Sequence, residues 1–79
     1  MEFIVYSKEN CPFCYKVKKV LELCNKDFIV YTLDSDFTKE EFYSKFGTGS
    51  TFPQVVYDNK KIGGCSDTVT YLRDMAVIS

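Results

Sequence analysis

The chain has 79 residues, of which 46% are hydrophobic, 16% aromatic and 27% charged, and its 10 basic and 11 acidic side chains leave a formal net charge of -1. This is the length of one domain, expected to span residues 1–79, with the composition of a globular protein rather than of a disordered tail. The charge balance argues against nucleic acid or an anionic membrane as the main partner, because both call for clustered positive charge, and no apolar run approaches the roughly 20 residues that cross a bilayer.

From the N-terminus, Glu2–Ser7 is rich in β-branched and aromatic residues and predicts a strand, mostly buried because its apolar run is continuous. Lys8–Asn10 is a loop. A helix is expected from Cys11, with Pro12 at the first helical position, where a missing N–H is no loss. Val17, Val20, Leu21 and Cys24 fall at i, i+3, i+4 and i+7 and predict a core stripe that includes Cys24. Lys16, Lys18, Lys19 and Glu22 cover the solvated face, and Asn25–Asp27 end the helix. Phe28–Leu33 predicts a second strand and Asp34–Phe37 a loop. Thr38 and Glu41 form a capping box for a helix that turns Phe42 and Phe46 to the core and stops at Gly47. Thr48–Phe52 leads to Pro53, Val55–Tyr57 is a strand, Asp58–Lys60 a turn, and Lys61–Gly63 closes a hairpin. Ser66 is placed to cap a last helix with Val69, Leu72 and Ala76 as its inner stripe. The order β-α-β-α-β-β-α predicts a right-handed parallel crossover followed by an antiparallel hairpin. The expected fold is α/β, a mixed four-stranded sheet flanked by helices.

Four cysteines, Cys11, Cys14, Cys24 and Cys65, accompany a complete lack of histidine. Met1–Tyr6 does not read as a signal peptide, since Glu2 stands where positive charge belongs. A cytoplasmic setting is therefore expected, in which a close cysteine pair is catalytic or metal-binding rather than a staple. A zinc site without histidine needs four sulfurs. Cys24 lies on the same predicted helix as Cys14, roughly 15 Å along its axis, so no metal is expected.

Cys11-Pro12-Phe13-Cys14 opens a helix directly after a strand and its short loop. Free N–H groups and the helix dipole at that end favour an anion, so the Cys11 thiol is expected to ionise more readily than usual, with Lys8 adding positive potential. An ordinary thiol is only about 3% ionised at pH 7, so the effect decides reactivity. A more acidic thiol is a weaker nucleophile but a better leaving group, which suits reversible exchange. Cys14, one turn on and facing inward, is the expected resolving sulfur. The motif points to dithiol redox chemistry.

With Thr51-Phe52-Pro53-Gln54 and Gly63-Gly64-Cys65-Ser66-Asp67 following in that order, the chain resembles the glutaredoxin family, a branch of the thioredoxin fold, over essentially its whole length. The family usually has tyrosine where Phe13 stands and commonly valine where Phe52 stands. The resemblance implies a thioredoxin-like fold and a glutathione-dependent thiol–disulfide oxidoreductase with Cys11 attacking and Cys14 resolving. It implies a cis Phe52–Pro53 bond, whose exposed backbone faces Cys11 as a strand-like edge. It assigns glutathione contacts to Lys8, Phe13, Thr51, Phe52, Pro53, Ser66 and Asp67. The N–H groups of Ser66 and Asp67 would hold the γ-glutamyl carboxylate, Asp67 the amino group, and Lys8 the glycine carboxylate. Implied partners are disulfide-bonded or glutathionylated proteins, ribonucleotide reductase among them, and a monomer is expected. Cys65 is given a structural role, with regulatory oxidation as a secondary one.

Two rival readings remain at this level. One is a redoxin fed by thioredoxin reductase, against which the Gly63–Asp67 cradle argues. The other is a glutaredoxin that binds a [2Fe–2S] cluster, against which Pro12 argues, because cluster binders in the family usually carry glycine or serine there.

Overall fold

The computed structural model describes the backbone of residues 2–78 and the side chains of residues 2–75. Strand β1 (Phe3–Ser7) is followed by helix α1 (Pro12–Leu23), strand β2 (Phe28–Thr32), helix α2 (Lys39–Phe46), strands β3 (Gln54–Tyr57) and β4 (Lys60–Gly63), and helix α3 (Cys65–Ile78). The four strands form one sheet in the order β2-β1-β3-β4. β1 and β2 run parallel, with Phe3 opposite Phe28 and Ser7 opposite Thr32. β3 runs antiparallel to β1, with Val5 opposite Val55, and β4 runs antiparallel to β3. The mixed four-stranded sheet expected from the element order is the one observed.

The two faces of the sheet are covered unequally. On one, Phe3, Val5 and Val55 meet Val17 and Leu21 of α1 and Leu72 of α3. Each such side chain contributes about 1.5–3 kcal/mol on burial. On the other, Tyr6 packs edge-to-face against Phe37 and Phe46, with ring centroids 5.3 and 5.0 Å apart. The short α2 and the loop residue Phe37 before it cover this side. β1 is mostly buried, as expected, and alternates between buried Phe3, Val5 and Ser7 and half-buried Ile4 and Tyr6. Phe42 is fully buried, but Phe46 is half-buried, and its ring is covered by the Lys45 and Lys61 ammonium groups at 5.9 and 5.8 Å.

Local signals explain the element ends. Thr38 Oγ1 accepts from Glu41 N–H at 3.1 Å and Glu41 Oε1 accepts from Thr38 N–H at 2.9 Å, which is the reciprocal capping box. Gly47 closes α2 with a φ of 100°. The hairpin turn is one residue shorter than expected. Asp58 and Asn59 both take the left-handed conformation (φ 52° and 62°), so Lys60 already pairs with Tyr57.

Two further expectations fail. Cys24 is not in the core: it is exposed and forms the C-cap of α1, its N–H donating to the Val20 carbonyl while the Asn25 N–H donates to that of Glu22. Helical spacing places residues on one face only while the chain stays helical, and it turns away at Asn25 (φ 55°). Ser66 does not cap α3, which begins at Cys65. Asp67 reaches back instead, its Oδ2 accepting from Gly64 N–H at 3.2 Å. Val69 is half-buried and Leu72 buried on the inner side of α3, while Ala76 lies outside the described side chains. Among the described residues, no helix is long and apolar enough to cross a membrane.

Candidate active site

The site is assembled where β1 hands over to α1. Asn10 takes a left-handed conformation (φ 55°) and swings the chain into Cys11, which is extended (φ -118°, ψ 102°) and serves as the N-cap of α1. Pro12 occupies the first turn, as expected. The Cys14 N–H donates to Cys11 Sγ at 3.2 Å, so a sulfur takes the place usually held by a capping oxygen. The same N–H, with the dipole behind it, stabilises a thiolate at Cys11 once the pair is reduced. Cys11 and Cys14 are joined as a disulfide with Cα atoms 5.2 Å apart. Cys11 is half-exposed, whereas Cys14 is 1% exposed. That asymmetry separates an accessible sulfur from a sheltered one. Cys24 and Cys65 are free thiols.

The Phe52–Pro53 peptide bond is cis. Gln54 braces the loop before it, its side-chain amide donating to the Thr51 carbonyl at 2.9 Å. Gly64 lies against this turn, and a Cβ there would meet the Pro53 carbonyl oxygen at 3.6 Å. Gly63 is held at φ 121°, and a Cβ there would fall 2.8 Å from both Cβ and Cγ of Asp67. Gly63 therefore lets the end of β4 and Asp67 close on each other, whereas a Cβ at Gly64 would make only an ordinary contact. Thr68, fully buried, donates from its hydroxyl to the Gly64 carbonyl at 2.8 Å and fixes the first turn of α3. The first backbone N–H groups of α3 have no partner within the helix.

These pieces enclose a cleft of about 230 Å³ lined by Phe13, Thr51, Phe52 and Pro53 on one side and by Gly64, Cys65, Ser66 and Asp67 on the other. Six of the expected site residues are thus brought together. Lys8 is not among them. It sits across the Phe52 ring, its ammonium 5.5 Å from the centroid, in a second cleft of about 400 Å³ with Lys39, Tyr43 and Ser50. Thr51 and Phe52 line both clefts, so the two form one groove with Asp67 at one end and Lys8 at the other.

Lys39 and Tyr43 join the groove without having been expected from the sequence. Lys39 carries a weak signal: it is the first residue of α2, where a cation opposes the helix dipole. Tyr43 carries none. Among the described residues, no group of three or more His, Cys, Asp or Glu side chains is placed to hold a metal ion.

Comparison with known proteins agrees with this geometry. A family model described as Glutaredoxin matches residues 3–62. The chain is 42% identical over 69 residues to glutaredoxin-C6 of Oryza sativa subsp. japonica, covering 84% of this chain but only 62% of that protein's length. It is 35% identical over 63 residues to glutaredoxin 3 of Escherichia coli strain K12, covering 80% of this chain and 76% of the other. Among solved structures, a buckwheat glutaredoxin–glutathione complex superposes with a TM-score of 0.78 at 28% identity, over 96% of this chain and 72% of that one. The chain belongs to the glutaredoxin family of thiol–disulfide oxidoreductases, with a thioredoxin fold and a Cys11–Cys14 redox pair.

Proposed function

We propose that this chain is a dithiol glutaredoxin that uses glutathione to reduce glutathionylated and disulfide-bonded proteins. The observation that carries the reading is the groove with complementary ends. At one end the Asp67 carboxylate and the free N–H groups of α3 suit an ammonium and a carboxylate side by side, as on the γ-glutamyl residue. At the other, Lys8 and Lys39 suit a lone carboxylate, as on the glycine residue. Phe13, Thr51, Phe52 and Pro53 line the stretch between. A glutathione complex of a buckwheat glutaredoxin with the same fold supports this choice of ligand.

The chemistry follows from the two sulfurs. With a glutathionylated protein, the Cys11 thiolate attacks the glutathione sulfur. A Cys11–glutathione disulfide forms and the protein leaves as a thiolate that takes up a proton. A second glutathione thiolate attacks that disulfide, releasing oxidised glutathione and restoring Cys11. With a protein disulfide, Cys11 forms a mixed disulfide with the client. Buried Cys14 then attacks Cys11, releasing the reduced client and leaving the Cys11–Cys14 disulfide, which two glutathione molecules reduce. Ribonucleotide reductase is a client that this reading includes, and a cytoplasmic setting suits the free thiols of Cys24 and Cys65.

The test is the reductant. Turnover of a small mixed disulfide is followed with glutathione and glutathione reductase, and separately with thioredoxin and thioredoxin reductase. The reading expects saturable turnover with glutathione and little with the thioredoxin system. The reverse result would make the chain a thioredoxin-reductase-dependent redoxin.

A further inference from the structure

The sheet ends in two edge strands, β2 and β4, and they differ. β4 is guarded against pairing with another chain: it carries Lys60 and Lys61, and its register with β3 shifts between Val55 and Val56. β2 reads Phe-Ile-Val-Tyr-Thr, all strand formers, with no charge or proline and an unbroken register with β1. Two of its side chains are large exposed apolar groups, Ile29 at 37% and Tyr31 at 36%. Tyr31 meets Tyr6 edge-to-face, and Ile29 lies beside half-buried Ile4, one row further along the same face of the sheet.

The backbone of β2 shows which of its groups face outward. The Phe3 N–H donates to the Asp27 carbonyl and the Leu33 N–H to the Ser7 carbonyl, each at 2.9 Å, so the odd-numbered residues turn their polar groups to β1. Phe28, Val30 and Thr32 turn theirs to the open edge. Thr32 is already occupied: its N–H donates to Asp36 Oδ2 at 2.8 Å, and its carbonyl accepts from the N–H groups of Ser35 and Asp36. Phe28 and Val30 remain to pair with another strand.

We infer that β2 pairs antiparallel with β2 of a second copy, giving a two-fold dimer with one continuous sheet. The occupied Thr32 sets the register. Phe28 of each copy lies opposite Val30 of the other and exchanges both backbone hydrogen bonds with it, and Ile29 lies opposite Ile29. The same register matches charge. Lys26 of each copy comes to Thr32 of the other, where the Asp36 carboxylate is held, and Asp27 comes to the Tyr31 hydroxyl. A parallel pairing in register would instead set Lys26 on Lys26 and Asp36 on Asp36. The resemblance implies a monomer; the edge of β2 points to a pair. The contact is small, so the dimer is weak and forms only at high concentration. β1 runs from Phe3, beside Phe28, to Ser7, ahead of Cys11, so the contact lies away from the redox pair and leaves it open.

Sedimentation equilibrium of the wild type, taken to about 1 mM as a small interface requires, tests the pairing. The apparent mass is expected to rise from 9.1 kDa toward twice that value. Ile29→Lys, which puts a charge on the edge, is expected to stay monomeric at every concentration while keeping the wild-type circular dichroism. Oxidative cross-linking on a Cys24→Ser background reads the register. Ile29→Cys, facing its own copy, is expected to give at least about tenfold more disulfide-linked dimer than Tyr31→Cys, which is as exposed but faces Asp27. A wild type that stays monomeric at the highest concentration, a dimer undiminished in Ile29→Lys, or equal cross-linking by the two cysteine variants would overturn the inference.

Discussion

The Phe52 ring lies flat on the ring of Phe42, with centroids 4.1 Å apart and planes 12° from parallel. Phe42 is fully buried, and both rings also stack with Phe37. A residue of the groove thus rests directly on the core beneath α2. Lys8 adds to the stack, its ammonium 5.5 Å from the Phe52 ring centroid. Removing the platform by Phe42→Ala is expected to cost about 3–5 kcal/mol in unfolding free energy, measured by chemical denaturation. A loss below about 1 kcal/mol would show that the stack carries little of the stability.

Asp67 faces a second close contact. A Cβ at Gly63 would fall 2.8 Å from its Cβ and Cγ, and the backbone there is held at φ 121°. Gly63→Ala should destabilise the chain by about 1–3 kcal/mol and displace Asp67. Gly47 provides the comparison, since it has φ 100° but a Cβ there would meet only Ser50 Oγ, at an ordinary 3.8 Å. The account expects Gly47→Ala to show the backbone penalty alone. Only Gly63→Ala should raise the KM for glutathione, read from the glutathione dependence of turnover.

The chemistry is legible in the sequence because its parts are short and local. Cys11-Pro12-Phe13-Cys14 marks a helix start by itself, and the capping box at Thr38 and Glu41 stands as its spacing predicts. Cys24 departs from its expected place because helical periodicity says nothing about where a helix stops. Ser66 departs from its own because residue type alone suits it to a cap, whereas Asp67 in the third helical position supplies the contact to Gly64. Lys39 and Tyr43 are not legible because their place beside Lys8 depends on how α2 lies across the sheet, which no local pattern encodes.

Tyr6 predicts an alkaline limit. Burial, with a smaller contribution from Tyr31, raises its hydroxyl above the ordinary pKa of 10.0. The native state therefore keeps a proton that the unfolded chain releases first. With more protons bound in the native state, stability falls as pH rises from about 10 through the native pKa. Tyr6→Phe is expected to flatten that decline in denaturation curves taken across this range. An undiminished decline would place its origin elsewhere.

The most direct test of the central claim is glutathione-dependent turnover of a small mixed disulfide by the wild type, Cys11→Ser and Cys14→Ser. Cys11 is the half-exposed sulfur held by the Cys14 N–H, and Cys14 is buried behind it. The account predicts an active wild type, no measurable turnover for Cys11→Ser, and retained activity for Cys14→Ser, because a glutathione mixed disulfide is resolved by a second glutathione. Retained activity in Cys11→Ser, or an inactive wild type with glutathione as reductant, would contradict it.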